Sequence, residues 1–377
     1  MNDRGRLRVM HVAGARPNFM KVAPLMAACR ASGAIEPSLV HTGQHYDAAM
    51  SEVFFRELGI PEPDIDLGVG SGSHAAQTAA IMTSFERVVL DRRPDAVLVV
   101  GDVNGTLACG LVAAKLGIPL AHVEAGLRSG DRAMPEEINR KLTDAVSDLL
   151  FCTEQAAVDN LAREGVDAGR VFLVGNPMVD TLLRHRGRAA SSPILETLGL
   201  AARTYAVLTL HRPSNVDEPA ALGGILDAVD ALQRELPVVW PLHPRCRAAL
   251  ERSGLDRRLP AMRGLRATGP LGYIDFVKLM DGARVVLTDS GGVQEETTVL
   301  RVPCLTLREN TERPVTVEAG TNRLAGCDPE RIVIAFREAV SAPPTAARTP
   351  PGWDGRSAGR IVSVLAAELP GCGRALV

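Results

Sequence analysis

Aromatic residues make up only 3% of this 377-residue chain, too few to build the stacking platforms that bind single-stranded nucleic acid. Charge of one sign is equally scarce. The formal net charge is −2, which excludes a strongly basic nucleic-acid binder and offers polyanions no general attraction. No apolar run approaches the roughly 20 residues that a membrane helix needs. The opening stretch MNDRGRLRVMHVAG leads directly into a buried-strand pattern without the apolar core of a signal peptide. A cytoplasmic location with no membrane partner is therefore expected. Seven cysteines (Cys29, Cys109, Cys152, Cys246, Cys304, Cys327, Cys372) are scattered and never spaced C-x-x-C. They read as small buried hydrophobes in a reducing compartment.

Motifs are missing as well. No G-x-G-x-x-G follows a strand, and no G-x-S-x-G elbow marks a nucleophilic hydrolase. His41 and His45 are four apart but lack the intervening Glu of a zinc-protease helix, so no metal is expected there.

What the chain does have is 46% hydrophobic residues, arranged in short apolar runs that alternate with amphipathic stretches. Strands are predicted at Leu7–Val12, Pro37–His41, Ala96–Val100, Leu120–Val123, Leu149–Cys152 and Val171–Val174. Helical patterns follow at Val22–Ala31, Ala75–Leu90, Thr106–Leu116 and Glu136–Val146. Continuous β-branched runs between helices indicate a parallel sheet covered on both faces. The basic, small-residue stretch RHRGRAASSP at Arg184–Pro193 breaks this rhythm and reads as a helix-poor linker. Beyond it, strands are predicted at Tyr205–Leu210, Val238–Leu242, Val285–Thr288 and Cys304–Leu307. Their helices fall at Pro219–Arg234, Arg245–Ser253, Tyr273–Met280 and Gly292–Leu300. The expected fold is α/β: a Rossmann-like domain over 1–185, a linker over 186–200, and a second Rossmann-like domain over 201–355. A closing helix within 356–377 is expected to pack back on the first domain. Two doubly wound domains of similar size imply a ligand cleft at their strand ends.

Chemistry-bearing residues recur just after strands. The strongest phosphate signal is VVLTDSGGVQEE, Val285–Glu296, where Ser290, Gly291 and Gly292 open a helix. Free N–H groups at a helix start favour an anion, while the bland alternative is a simple cap by Asp289 or Ser290. Of Gln294, Glu295 and Glu296, one of the carboxylates points back to a ribose diol, or both are solvated helix charge. The GARPNFMKVAPL stretch, Gly14–Leu25, offers Arg16 and Lys21 to a diphosphate, unless they are a surface Arg and a snorkelling Lys. The Gly68–Ser73 stretch reads as a loop. Asp102, Glu124, the Glu136–Glu137 pair, His211 and His243 all follow strands or open helices, more often than helix capping alone requires.

Together these stretches resemble the non-hydrolysing UDP-N-acetylglucosamine 2-epimerases of bacteria and archaea. The matching segments are GARPNFMKVAPL, TGQHYD, GDVNGTLA, HVEAGLRSGD, PEEINR, GNPMVD, LTLHRP, TDSGGVQEE and TERPVTVEAGTNRLAG, in the family's order from Gly14 to Gly326. The resemblance implies GT-B architecture, a homodimer formed through the N-terminal domain, and UDP bound in the cleft. It places Asp102, Glu124, Glu136 and His211 at the catalytic positions. Arg16, Lys21, His243, Phe276, Ser290, Gly291, Gly292, Glu296 and Arg313 fall near the nucleotide sugar, with Phe276 by the uracil. Gln44 and Gln77 are the candidates for an allosteric second site, although the GVGSGSHAAQTAAIM segment departs from the family's basic stretch there. Val315 stands where the family commonly has Glu.

The implied reaction eliminates UDP to give 2-acetamidoglucal, then adds it back with C2 inverted. That route needs no nicotinamide and no metal, so no cofactor is expected. A hydrolysing epimerase, a GT-B glycosyltransferase and an idle sugar-nucleotide sensor are the competing classes. The HVEAGLR and PEEINR carboxylates speak against transfer, which requires no base at C2. Their retention with His211 speaks against a sensor. Which carboxylate serves which face of C2 is open from sequence.

Overall fold

The computed structural model describes residues 6–14, 16–43, 57–60, 62–342 and 348–369. It divides into two compact units, the first formed by the chain up to Leu183 and again from Pro351, the second by Arg184–Pro350.

The first unit holds seven parallel strands: β1 (Leu7–Ala13), β2 (Ile35–His41), β3 (Ile65–Asp66), β4 (Ala96–Val100), β5 (Leu120–Val123), β6 (Leu149–Cys152) and β7 (Val171–Leu173). Their order is β3-β2-β1-β4-β5-β6-β7, so the chain reverses direction of winding between β1 and β4. Every residue of β4, β5 and β6 is buried, as continuous apolar runs demand in a sheet covered on both faces. Helices α1 (Arg16–Ser32), α2 (His74–Arg92), α3 (Asn104–Lys115), α4 (Pro135–Val146), α5 (Gln155–Arg163) and α6 (Pro177–Ala190) connect and follow the strands. Ile81, Phe85, Val97, Val99 and Leu120 centre one side of the core.

The stretch 184–190, expected to be irregular, is the last part of α6. No proline interrupts it before Pro193, and Met178, Val179, Leu182 and Ala189 supply a buried apolar stripe. Basic composition alone did not break the helix.

The second unit has a six-stranded parallel sheet: β8 (Ala206–Thr209), β9 (Val238–Pro241), β10 (Leu265–Thr268), β11 (Val285–Thr288), β12 (Cys304–Thr306) and β13 (Asn322–Leu324). The order β10-β9-β8-β11-β12-β13 repeats the same winding, with its reversal between β8 and β11. Its helices are α7 (Pro219–Leu232), α8 (Pro244–Ser253), α9 (Tyr273–Asp281), α10 (Gly291–Leu300) and α11 (Pro329–Ser341), around a core with Trp240, Leu226 and Phe336.

The closing helix, α12 (Ser357–Glu368), belongs to the first unit. Asp180 accepts from its first amides, Ser357 N at 3.1 Å and Ala358 N at 2.7 Å. The Trp353 indole donates to the Thr153 carbonyl at 2.9 Å. No helix among the described residues is long and apolar enough to cross a membrane. Of the cysteines, Cys29, Cys109, Cys152, Cys246 and Cys304 are buried and unpaired, Cys327 is partly exposed, and Cys372 lies outside the described residues.

Candidate active site

In an open α/β sheet, ligands meet the carboxyl ends of the strands where the winding reverses. In the first unit, Asp102 follows β4 and Glu124 follows the neighbouring β5. Glu124 has φ 77°, a left-handed conformation that costs a non-glycine residue about 1–3 kcal/mol and tends to persist at functional sites. Gly101 has φ 72°, and a side chain built there would stand 3.4 Å from Glu124 Oε2. The turns bearing the two carboxylates therefore touch.

Each carboxylate meets a cation. Lys21 Nζ donates to Glu124 Oε2 in a buried pair. Arg140 Nη2 donates to Asp102 Oδ2 at 2.6 Å, and Asn139 Nδ2 donates to the Asp102 carbonyl at 2.9 Å. Lys21 thus does not snorkel to the surface; its ammonium is buried and engaged with Glu124. Glu136 opens α4 and is half-buried. Its neighbour Glu137 points inward, accepting from Ser129 N (2.9 Å), Ser129 Oγ (3.0 Å), Gly130 N (3.2 Å) and Arg140 Nη1 (2.6 Å). Burial pushes the Glu137 carboxyl up, but the Ser129 amide and the Arg140 charge hold it below its ordinary pKa.

Beneath these turns lies a second layer. His122, on β5 and fully buried, places Nδ1 2.7 Å from Asp144 Oδ1 and Nε2 2.8 Å from the Gly101 carbonyl. Asp144 also accepts from Gly126 N at 3.0 Å and Arg128 Nη1 at 2.8 Å. Burial raises the Asp144 pKa, but the His122 hydrogen bond and charge, then Arg128, carry it below the ordinary value.

In the second unit the winding reverses at β8 and β11, and His211 and Asp289 follow those two strands. Asp289 is fully buried and sits 2.9 Å from His211 Nδ1. It also accepts from His211 N (3.1 Å), Arg212 N (2.9 Å) and Asn215 Nδ2 (3.3 Å). Burial raises its pKa, but the His211 charge and these donors hold the carboxyl below the usual range. Asp289 therefore orients His211 and does not cap α10. Ser290 makes no side-chain cap either, so neither bland alternative satisfies that helix start.

Arg313 stands beside this N-terminus, its Cζ 4.0 Å from where a Gly291 side chain would begin. Its Nε donates to Glu295. Gln294, Glu295 and Glu296 are all buried, which rules out solvated helix charge. Gln294 Oε1 accepts from Thr311 Oγ1 (2.6 Å) and Asn322 Nδ2 (3.2 Å), while Glu296 Oε1 accepts from Tyr273 Oη at 2.9 Å. Burial and the Glu296 charge push the Tyr273 phenol well above its ordinary pKa, so it donates. Phe276 is half-buried one turn along α9 from Tyr273. His243 caps α8, its Nδ1 accepting from Arg245 N at 3.2 Å, and its ring centroid lies 6.0 Å from that of His211.

Three expected residues are not presented this way. Gln77 is spent inside the first unit, Nε2 donating to Gly70 O (2.8 Å) and Oε1 accepting from Asn104 Nδ2 (2.9 Å). Both ends of its amide are thus engaged within that unit. Gln44 lies outside the described residues, and of Arg16 only the backbone, at the start of α1, is described. Conversely, sequence reasoning passed over Asp289 as an orienting group, Arg140 inside PEEINR, and the His122–Asp144 pair. Asp289, Arg140 and His122 all stood within quoted motifs, Asp289 directly before Ser290, while Asp144 lay outside them.

Parallel α/β units with carboxylates at one set of strand ends and an uncapped helix start with His and Arg at another define a two-domain GT-B enzyme. A family model for UDP-N-acetylglucosamine 2-epimerase matches residues 27–366. The chain belongs to that family. A curated UDP-N-acetylglucosamine 2-epimerase of Methanocaldococcus jannaschii is 40% identical over 364 residues, 95% of this chain and 99% of that one. The crystal structure of the Methanocaldococcus jannaschii enzyme in complex with UDP-GlcNAc and UDP superposes with a TM-score of 0.90, covering 96% of this chain and 100% of that chain. A Pseudomonas aeruginosa UDP-2,3-diacetamido-2,3-dideoxy-D-glucuronate 2-epimerase is 43% identical over 338 residues, 89% of this chain and 92% of that one.

Proposed function

We propose that the chain interconverts UDP-N-acetylglucosamine and UDP-N-acetylmannosamine by eliminating UDP and adding it back. The C2 proton has no carbonyl beside it, so direct deprotonation is prohibitively slow. Cleaving the C1–O bond sends its electron pair to the diphosphate oxygen and gives C1 oxocarbenium character. A carboxylate then removes the C2 proton, leaving the C1=C2 double bond of 2-acetamidoglucal. Proton delivery to the opposite face of C2 and attack of UDP at C1 complete the inversion.

Asp102 and Glu124 serve as the acid/base groups, with Glu136 as a third candidate. The observation carrying this reading is the contact of the two turns: carboxylates on adjacent strand ends, each with its own cationic partner. Arg313, His211 and the helix start at Ser290–Gly292, through the amides of Gly291 and Gly292, take the departing diphosphate, a role the family resemblance also gives to Arg16. Glu296 takes the ribose and Phe276 the uracil. No step calls for a nicotinamide or a metal.

A second reading is favoured by the Pseudomonas aeruginosa relative: the same inversion on UDP-2,3-diacetamido-2,3-dideoxy-D-glucuronate. Proton NMR in deuterated buffer, with each nucleotide sugar offered separately, tests both. Loss of the C2 proton with formation of the C2-inverted UDP sugar identifies the substrate. Release of UDP and free N-acetylmannosamine would mean water intercepts the glucal, the hydrolysing outcome. No exchange with either sugar would overturn the reading.

A further inference from the structure

Buried His–Asp pairs often serve packing alone, but the one in the first unit is wired to both proposed acid/base turns. Its hub is Asp144, 1% exposed, which accepts from His122 Nδ1, Gly126 N and Arg128 Nη1. Gly126 lies two residues after Glu124 and His122 two residues before it, so a single carboxylate pins both flanks of the strained Glu124 turn. The wiring continues on the other side of the ring. His122 Nε2 reaches the carbonyl of Gly101, the residue immediately before Asp102. Each ring nitrogen faces an oxygen, so the ring bridges a carboxylate and a backbone carbonyl.

The Gly101 turn has little room to drift. A side chain built at Gly101 would stand 3.1 Å from Asn18 Nδ2, 3.4 Å from Glu124 Oε2 and 3.5 Å from Lys21 Nζ. Any shift of that carbonyl displaces Asp102 and presses on the Lys21–Glu124 pair. Arg140 and Asn139 hold Asp102 from α4. The backbone joins the two turns directly, Gly101 N donating to the Val123 carbonyl at 3.1 Å, and the His122–Asp144 pair adds a side-chain tie from below.

We propose that His122 and Asp144 are positioning residues that set the relative placement of the Asp102 and Glu124 carboxylates. This rests on the reading that those carboxylates perform the C2 proton transfers. The pair acts through the two turns and touches no substrate. It tunes the chemical step while UDP binding, to which neither residue contributes, stays as it is.

The experiment compares wild type, Asp144→Asn, His122→Gln and the double variant. Each is measured for kcat, KM and UDP affinity, and for deuterium at C2 in recovered substrate and in product. Misplacing a catalytic group by about an ångström costs on the order of 10²-fold in rate, so kcat should fall by about that factor. KM and UDP affinity should stay at wild-type values. The ratio of deuterium in recovered substrate to that in product should shift, because it reports how evenly two opposed groups serve C2. The double variant should lose little more than either single one, as members of one hydrogen-bonded chain do.

Unchanged kcat and deuterium ratio in variants that melt cooperatively would overturn the proposal. So would a loss of kcat matched by equal loss of UDP binding, which marks a merely structural pair. If wild type itself neither exchanges C2 nor forms product, the proposed function fails first, and this inference falls with it.

Discussion

Asp289 shows how a residue can be quoted in a motif and still be misread. In TDSGG it looks like a helix cap, since Asp before a glycine pair commonly serves that role. In the fold its carboxylate turns the other way, to His211 Nδ1 and the amides of His211 and Arg212. The chemistry of His211 was legible from its place after a strand; the partner that fixes its ring was not, because 78 residues separate the two. Asp289→Asn should therefore lower kcat and weaken UDP binding together, as His211→Asn should, measured by steady-state kinetics and UDP titration. By contrast, Asp102→Asn and Glu124→Gln should abolish turnover while UDP still binds. Wild-type turnover in either would remove that carboxylate from the mechanism. The buried carboxyls also set an acid limit. Glu137, Asp144 and Asp289 are all held below their ordinary pKa when folded. Their stabilisation is present above the unfolded carboxylate value of about 4 and is lost as pH falls through the depressed folded values. Thermal melting followed from neutral pH downward should show Tm dropping steeply only below that range. A Tm that is flat down to pH ~3 would contradict it.

At the scale of elements, the strands buried on both faces were the easiest to read. Ala96–Val100, Leu120–Val123, Leu149–Cys152 and Val285–Thr288 form over the same residues that their apolar runs mark. Of the edge strands, β7 was legible, but β10, carrying Arg266 and Thr268, and β13, carrying Asn322 and Arg323, were missed, because an edge need not be apolar throughout. Helix α6 was missed in its second half because arginines and small residues resemble a linker until the apolar stripe finds a neighbour. Turns were the least legible, since no local pattern announces that two of them will touch. Gly101 gives that contact a test. Alanine there must adopt φ near 72°, which costs about 1–2 kcal/mol, and its side chain would meet Asn18 and Glu124. Gly101→Ala should lower Tm modestly but kcat severely, with UDP affinity retained. Equal effects on all three would mean the turn serves stability alone.

At the scale of the whole molecule, the face of α4 away from the site carries its own signal. Ile138 and Leu142, one turn apart, are 48% and 47% exposed. Ile138, Pro135 and Met82 border a groove of about 400 Å³ whose walls come from α2, α3 and α4. Adjacent exposed aliphatic side chains beside a groove are unusual on a free surface and suit burial against a second chain. A two-fold contact would bring each chain's α4 to its partner's groove, the self-complementary arrangement that closes a dimer. The family resemblance led us to expect a homodimer, and this face is where we predict its interface. Burying each side chain contributes about 2 kcal/mol, so replacing both with carboxylates should split the pair. Sedimentation should therefore give wild type twice the mass of one chain, and Ile138→Asp with Leu142→Asp the mass of a single chain. The inner face of α4 supplies Asn139 and Arg140 to Asp102, so the monomeric variant should also turn over more slowly while binding UDP normally. A variant that stays dimeric would put the interface elsewhere. A variant that is monomeric but fully active would separate assembly from catalysis.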